Sequence, residues 1–193
     1  GEKVESIYNK VFENSPHVAH MSLVSAEISK VSLNAYITMK ISFANTLANL
    51  CDKTANADLD SITNAIGVDR RISPYFFKGG LSFGGSCFPR DTKAFISFAQ
   101  KKGNDAVLLK AVEKVNEYQD IRLAELVKVN SKNKKEDILG ILGLAFKPKT
   151  PVITESPGIK LIDKLLNGNI FKSIIGFDPV ALDNAKLYFK NKI

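Results

Sequence analysis

Apolar residues recur at helical spacing near the start of the chain. From Val4 to Phe12 they repeat every three or four positions, which predicts an amphipathic helix. The mixed run Val18–Leu23 that follows predicts a short strand. His17 and His20 would point to opposite faces of an extended chain, so we expect no metal site there.

A much longer segment without Gly or Pro follows. Ser25 can cap a helix, and no helix breaker occurs before Lys53. One continuous row of apolar positions runs along this segment and is made of Leu33, Ile37, Ile41, Ala44, Ala48 and Cys51. We therefore expect a long helix with Cys51 in the core. A helix far above the average of about 12 residues indicates one that crosses a whole domain or a subunit interface.

Three more helices are predicted before residue 130. Asp58 can cap a short one that ends at Gly67. A second begins after Cys87 and ends near Gly103, and a third spans about Asp105–Lys128. The inner side of the third helix is predicted from its apolar positions, Leu108, Val112, Val115 and Leu126.

The pattern changes beyond residue 137. Ile138–Phe146 and Ile174–Phe177 are short apolar runs, and a helical pattern that starts at Ser156 and Pro157 lies between them. This order is β-α-β, the unit of a parallel nucleotide-binding sheet. Its glycines do not make the GxGxxG fingerprint of dinucleotide-binding turns. Lys147, just past the first strand, would stand at the edge where such sheets bind ligands.

The stretch 70–95 carries the candidate chemistry. Between Arg70 and Ser86, glycines and aromatic residues follow no clear period, which indicates a ligand-wrapping loop. The loop leads into FGGSCFPRDTK, where Cys87 precedes Pro89 and a helical pattern. The positive end of that helix would favour a thiolate at Cys87, and Asp91, one turn on, could orient a water or accept a proton. The alternative is a buried structural cysteine beside a glycine turn.

Composition and charge exclude several classes of protein. Hydrophobic and charged fractions of 45% and 24% are ordinary for a globular protein. No apolar run approaches the roughly 20 residues of a membrane span, so we expect no membrane partner. The net charge of +7 allows an anionic partner, but the lysines are dispersed and no nucleic-acid motif occurs, so we expect no nucleic acid. Two cysteines without a secretory leader predict reduced thiols and a cytoplasmic location.

Four segments carry a family resemblance. They are SAEISKVSLNAYITMKISFAN (Ser25–Asn45), GVDRRIS (Gly67–Ser73), FGGSCFPRDTKA (Phe83–Ala94), and LGLAFKPKT with ESP (Leu142–Thr150 and Glu155–Pro157). Together they resemble the nucleotide-sugar dehydrogenases, the UDP-glucose 6-dehydrogenase and GDP-mannose 6-dehydrogenase group, over nearly the entire chain. The resemblance implies that residues 1–24 are the tail of an N-terminal NAD-binding Rossmann domain and 25–130 a mostly α central dimerisation domain with the long helix. Residues 137–193 would begin an α/β Rossmann-like, UDP-binding C-terminal domain.

The resemblance also implies an activity. Cys87 matches the nucleophile that would hold an aldehyde between two hydride transfers to NAD, first as a thiohemiacetal and then as a thioester. Lys30 and Asn34 match the donors that stabilise the oxyanion, and Asp91 matches the acid that orients Lys30 and a water. The implied reaction is NAD-dependent oxidation of the C6 hydroxyl of a UDP-sugar, with UDP-glucose converted to UDP-glucuronate.

Further residues match the family's substrate contacts, namely Phe76, Phe77, Lys78, Gly84, Phe146, Lys147 and Arg71. The first four belong to the loop that wraps the sugar and diphosphate, and the next two form a pair that meets the substrate in the third domain. Arg71 matches an arginine that reaches the neighbouring subunit's site, which implies a functional homodimer through the long helix.

Several features keep alternatives open. Thr154 stands where the family has an Arg that helps hold the NAD side. The NAD fingerprint is absent and the chain starts at Gly1, so we expect a piece of a longer protein that is inactive alone. A GDP-mannose or UDP-N-acetylmannosamine dehydrogenase is an alternative, although Ser86 counts against the latter, whose branch favours His there. Others are a non-catalytic dimerisation module and a cysteine hydrolase, which would need a His paired to Cys87.

Overall fold

The chain consists of a helical part followed by a small β-α-β unit, as predicted. The structure is a computed structural model that describes residues 1–14, 16–131, 135–168 and 170–190. Within these ranges the elements, in chain order, are α1 (Glu2–Val11), α2 (Leu23–Cys51), α3 (Leu59–Gly67), α4 (Phe88–Lys101), α5 (Val107–Asn130), β1 (Ile138–Leu142), α6 (Pro157–Leu166), β2 (Ser173–Phe177) and α7 (Leu182–Phe189).

The segment before the long helix differs from the prediction. Residues 16–22 form no strand and α2 begins at Leu23, so the predicted strand Val18–Leu23 is wrong. Ser22, and not Ser25, is the N-cap, because its hydroxyl oxygen accepts a hydrogen bond from the Ser25 N–H at 3.2 Å. This bond satisfies one of the N–H groups that a helix start leaves unpaired, so the helix begins earlier than predicted.

The face of α2 that packs against α4 and α5 is lined by small and polar side chains. The buried residues of α2 are Ala35, Thr38, Ser42, Ala44, Asn45 and Ala48. The Asn45 side chain accepts a hydrogen bond from the Gly80 N–H at 2.7 Å and donates one to the Leu81 carbonyl at 3.2 Å. Cys51, predicted to lie in the core, is only half-buried in the last turn.

The opposite face of α2 exposes large apolar side chains. Leu33, Tyr36, Phe43 and Leu50 are 63%, 54%, 54% and 62% exposed. Their spacing places them along one side of the helix, and we call this set the apolar stripe of α2. Apolar side chains arranged in this way are typical of a helix that packs against a further partner.

The predicted inner side of α5 is partly wrong. Val112 is buried, but Leu108 and Leu126 are 59% and 42% exposed. The buried face consists of Val112, Asn116, Gln119, Asp120 and Ala124. Asn116 and Asp120 are tolerated there because both hydrogen-bond to the loop in front of α4. Apolar periodicity alone therefore misplaced the buried face of this helix.

The C-terminal part has the predicted β-α-β order. The strands β1 and β2 are parallel neighbours, with Ile138 opposite Ser173 and the pairing continuing in step. Leu144 and Leu165 are at most 1% exposed and lie in a hydrophobic core that also includes Ala124 of α5. Because α5 contributes to this core and also packs on α2, the helix joins the two parts of the molecule.

The first strand is shorter than predicted. The apolar run reaches Phe146, but β1 ends at Leu142. Gly143 follows with a φ of 100°, a conformation that favours glycine, and turns the chain away from the sheet. Phe146 therefore lies beyond the strand, in the loop that approaches the helical part.

Candidate active site

Cys87 lies directly before a helix, as its sequence context predicted. It is the N-cap of α4, and Pro89 lies in the first turn. Its carbonyl accepts the N–H of Asp91 at 2.8 Å, which closes that turn. The Cys87 side chain is exposed, and its sulfur lies 3.8 Å from the Ser86 hydroxyl oxygen. The thiol is therefore accessible at the positive end of the helix dipole, where an anion is stabilised.

Asp91 accepts hydrogen bonds from three neighbouring side chains. Its side chain is 7% exposed, and its Oδ2 accepts hydrogen bonds from Lys30 Nζ and, at 2.7 Å, from Asn34 Nδ2. Its Oδ1 accepts from the Arg90 guanidinium at 3.1 and 3.2 Å. The i, i+4 spacing of Lys30 and Asn34 on α2 thus presents both side chains to one oxygen atom, and here that atom belongs to Asp91.

The charge state of Asp91 decides what it can do. The hydrogen bond from Lys30 lowers the pKa of Asp91 below its ordinary value against the opposing effect of burial, and Asn34 and Arg90 lower it further. A carboxylate stabilised in this way is a weak base, so Asp91 is better suited to hold Lys30 than to accept a proton. The Lys30 side chain is 60% exposed, and an ammonium group has several N–H donors, so donors remain for a ligand.

Side chains of α5 hold the residues in front of Cys87, and sequence analysis missed them. The Ser82 hydroxyl donates to Asp120 Oδ1. The Phe83 N–H donates to Asn116 Oδ1 at 2.7 Å, and the Phe83 carbonyl accepts from Asn116 Nδ2 at 3.1 Å. The available signal was the i, i+4 pair of polar residues on a face continuous with Val112.

The β-α-β unit holds the same segment from the other side. The Gly85 N–H donates to the Thr154 carbonyl at 3.0 Å. Gly85 has a φ of 86°, and a Cβ there would lie 2.5 Å from the Phe146 ring. A Cβ on Gly84 would overlap the carbonyl of Glu155. Both glycines are therefore required for close contact between the two parts of the molecule.

Three of the predicted substrate residues lie beside residues 82–87, which we call the cysteine loop. Phe146 is half-buried against Gly85, and the Nζ of exposed Lys147 lies 5.5 Å from the Phe146 ring centroid. Phe76 is 54% exposed and meets the ring of Phe88, the residue after Cys87, edge-on at 6.4 Å. We call these three residues and Gly84 the rim of the candidate site.

The remaining predicted substrate residues are placed differently. Phe77 is 4% exposed and stacks on Phe43 at 6.1 Å, so its ring belongs to the core of this chain. Lys78 is exposed on the same loop. Arg71 is exposed, and its guanidinium donates to both carboxylate oxygens of Asp69, which raises the pKa of Arg71. The structure thus brings Phe76 to the cysteine loop, whereas Arg71 is paired with Asp69.

The edge of the small sheet does not fit a dinucleotide. The carboxylate of Asp178 accepts four backbone N–H bonds at 2.8 to 3.0 Å, from Leu144, Ala145, Val180 and Ala181. These bonds lower the pKa of Asp178 well below its ordinary value. Dinucleotide-binding folds offer free amides of this kind to a pyrophosphate. Because Asp178 already occupies them, we assign no NAD-binding residue in this unit.

Neither a metal centre nor a membrane span is found in the part of the chain that the structure describes. No three His, Cys, Asp or Glu side chains there lie close enough to share a metal ion. None of the described helices is both long and apolar enough to cross a bilayer.

Comparison with known proteins agrees with the motifs. Residues 24–118 match the model of the UDP-glucose/GDP-mannose dehydrogenase family, central domain. The chain is 38% identical to UDP-glucose 6-dehydrogenase YwqF of Bacillus subtilis over 162 residues, which are 84% of this chain and 36% of that protein. It is also 38% identical to UDP-glucose 6-dehydrogenase AglM of Haloferax volcanii over 194 residues, 97% of this chain and 43% of that protein.

A solved structure shows the same similarity in three dimensions. A UDP-glucose dehydrogenase from Pyrobaculum islandicum superimposes with a TM-score of 0.89 at 33% identity, covering 100% of this chain and 44% of that one. The chain spans about two fifths of the length of the curated relatives it matches. The resemblance predicted from the motifs is confirmed, and the chain belongs to the UDP-glucose/GDP-mannose dehydrogenase family.

Proposed function

We propose that this chain is the central part of an NAD-dependent dehydrogenase that oxidises the C6 hydroxyl of UDP-glucose to the carboxylate of UDP-glucuronate. The observation that carries the proposal is the exposed Cys87 at the start of α4, one turn from the Asp91 carboxylate that holds Lys30 and Asn34. The curated relatives that are UDP-glucose 6-dehydrogenases support the choice of substrate.

The chemistry needs a nucleophile and a fixed cation. NAD supplies the oxidant and accepts one hydride in each of two steps. After the first, the Cys87 sulfur bonds to the aldehyde carbon and its oxygen takes a proton, giving a thiohemiacetal. Loss of the second hydride and that proton leaves a thioester, and water then breaks the C–S bond, giving the carboxylate and the free thiol. One UDP-glucose, one water and two NAD⁺ thus yield one UDP-glucuronate, two NADH and three protons.

Lys30 and Asn34 stabilise the oxygen on which negative charge develops. Asp91 fixes the Lys30 ammonium without exhausting its donors, and the exposure of Lys30 leaves those donors available to a ligand. A pre-oriented cation stabilises the oxyanion without reorganisation during the reaction. Asp91 is thus a group that orients Lys30 and a hydrolytic water.

The substrate is bound by the rim of the site and its loop. Lys147 and Lys78 provide charge for the diphosphate, and Gly84, Phe76 and Phe146 border the sugar. Phe77 supports this loop from beneath, because it is buried against α2. NAD is not held at this edge of the small sheet, since Asp178 occupies the amides there.

The active form is a homodimer built on α2. The apolar stripe of α2 leaves four large side chains exposed along the helix, and a second copy would bury them. In this dimer Arg71 gives up its hydrogen bonds to Asp69 and contacts the neighbouring subunit's site instead. We also propose the domain division 1–24, 25–130 and 137–193, and a cytoplasmic location.

A second candidate is a dimerisation module without activity. Thr154 favours it, because its backbone carbonyl accepts the Gly85 N–H and no guanidinium stands at this position. GDP-mannose and UDP-N-acetylmannosamine are the alternative substrates for an active enzyme. The module predicts no NADH from any sugar, and an enzyme for one of the alternative substrates predicts two NADH from that sugar and none from UDP-glucose.

The test measures NADH formed per UDP-glucose consumed by the full-length protein that carries this chain. We expect two NADH per UDP-glucose, and none from GDP-mannose or UDP-N-acetylmannosamine. Cys87→Ser should stall after the first hydride, whereas Cys51→Ser, at the other cysteine, should keep the ratio of two. Absence of NADH with every sugar, in a folded protein, would refute the enzymatic proposal and leave the dimerisation module.

A further inference from the structure

Lys160 on α6 joins three parts of the molecule. Its Nζ lies 3.2 Å from Asp120 Oδ2 on α5 and 2.8 Å from Glu155 Oε2 in the loop before α6. Each partner also touches the segment in front of the nucleophile. Asp120 accepts a hydrogen bond from Ser82, and the Glu155 carbonyl lies against Gly84. One ammonium group thus connects to that segment from both sides.

The contact is shielded enough to resist rearrangement. The side chains of Lys160 and Asp120 are 25% and 10% exposed, so breaking the pair leaves charges that water solvates poorly. Burial by itself lowers the pKa of Lys160, but the hydrogen bond to Glu155 and the charges of Asp120 and Glu155 outweigh it and raise the pKa overall. Lys160 therefore stays a cation throughout the neutral range.

We propose that Lys160 is a positioning residue for Cys87, because by holding Asp120 and Glu155 it fixes the backbone from which the thiol attacks. The inference rests on the proposed function, in which Cys87 is the nucleophile. A reacting group misplaced by about 1 Å can cost about a hundredfold in rate, so a loosened loop lowers turnover even when substrate still binds.

The competing explanation is an ion pair that only stabilises the fold. A purely stabilising pair would lower the melting temperature when removed and would leave kcat and the reactivity of Cys87 unchanged. A positioning role changes kcat more than KM, alters Cys87 reactivity, and is rescued by a conservative cation. These differences separate the two roles.

Three variants isolate the effect. Lys160→Met keeps the length of the side chain and removes its charge. Lys160→Arg keeps the charge and can reach both carboxylates. Lys164→Met makes the same chemical change one turn further along α6, at an exposed position, and is the matched control.

The experiment measures kcat and KM for UDP-glucose in the full-length protein and the rate at which iodoacetamide alkylates Cys87. Mass spectrometry of the Cys87 peptide gives that rate, and the Cys51 peptide is the internal reference. For Lys160→Met we expect kcat to fall about tenfold with KM within about twofold of wild type, and Cys87 alkylation to change about threefold. Lys160→Arg should recover most of kcat, and Lys164→Met should match wild type.

A folded Lys160→Met protein with wild-type kcat and wild-type Cys87 alkylation would overturn the inference, whatever its melting temperature. If Lys160→Met does not fold, Glu155→Gln is the deciding variant. It removes the charge of one of the two partners of Lys160 and keeps the side-chain shape. An altered Cys87 rate in that variant supports the inference, and an unaltered rate overturns it. If the wild type makes no NADH, the proposed function fails, while the alkylation rates still test the link from Lys160 to Cys87.

Discussion

Replacing Asp178 by Asn should destabilise the β-α-β unit strongly, although the side chain keeps its shape. The carboxylate is 7% exposed and joins two loops, because one oxygen accepts from Val180 and Ala181 and the other from Leu144 and Ala145. An amide has one acceptor oxygen and one NH₂ group. In Asp178→Asn, two of the four backbone N–H groups would therefore face the NH₂ group of Asn, which cannot accept a hydrogen bond.

The magnitude follows from these four bonds. A hydrogen bond to a charged group contributes about 1.5 to 3 kcal/mol, so losing two costs about 3 kcal/mol or more. The two remaining bonds become neutral and weaken by about 0.5 kcal/mol each. We expect the free energy of unfolding to fall by about 4 kcal/mol. With a urea slope of about 3 kcal/mol/M, the midpoint should fall by more than about 1 M.

The assay is urea unfolding followed by circular dichroism, with hydrogen exchange of the peptides around residues 144 and 180 as the local readout. Asp183→Asn is the matched control, because Asp183 is an exposed carboxylate in the first turn of α7. It should change the unfolding free energy by less than about 0.5 kcal/mol. A midpoint for Asp178→Asn within the range of this control, with unchanged exchange, would refute the reasoning.

The effect also has a defined pH dependence. The pKa of Asp178 is depressed in the folded chain by its four N–H donors, whereas the unfolded value is about 3.9. Between these values the unfolded state binds more protons, so stability rises with pH there. The wild-type advantage over Asp178→Asn should be full above about pH 5 and shrink as the pH falls below about 4. Urea midpoints at pH 7, 5, 4 and 3 measure it, and a gap that widens with acid contradicts the assignment.

Two further predictions concern the proposed active site and the proposed dimer. Asp91→Asn keeps the contact to Asn34 but removes the charge that holds Lys30. The kcat for UDP-glucose should therefore fall about a hundredfold, with a smaller change in KM. Steady-state NADH formation measures this change, and a wild-type kcat would contradict the prediction. Phe43→Glu places a charge in the apolar stripe of α2 and should convert a dimer to monomers in sedimentation velocity. Leu187→Glu, at an apolar residue of α7 that is still more exposed, should not. A Phe43→Glu protein that remains dimeric would exclude this face as the interface.

Local sequence determined most of the elements and the position of Cys87. The long helix, the β-α-β order and the placement of Cys87 before α4 follow from spacing, helix breakers and Pro89, which act within a few residues. The common face of Lys30 and Asn34 follows equally from i, i+4 geometry. The roles of these residues in catalysis stay a prediction.

Only the tertiary structure decided which faces are buried and what holds the cysteine loop. Hydrophobic periodicity favoured Leu108 and Leu126 as inner residues of α5, yet Asn116 and Asp120 are the ones that are buried. Their burial depends on hydrogen bonds to residues more than thirty positions away, and Lys160 joins Asp120 from a different element again. Apolar spacing indicates which side chains can leave water. A buried polar group is stable only if another part of the chain supplies its hydrogen-bond partner, and the sequence does not show which residues will pair.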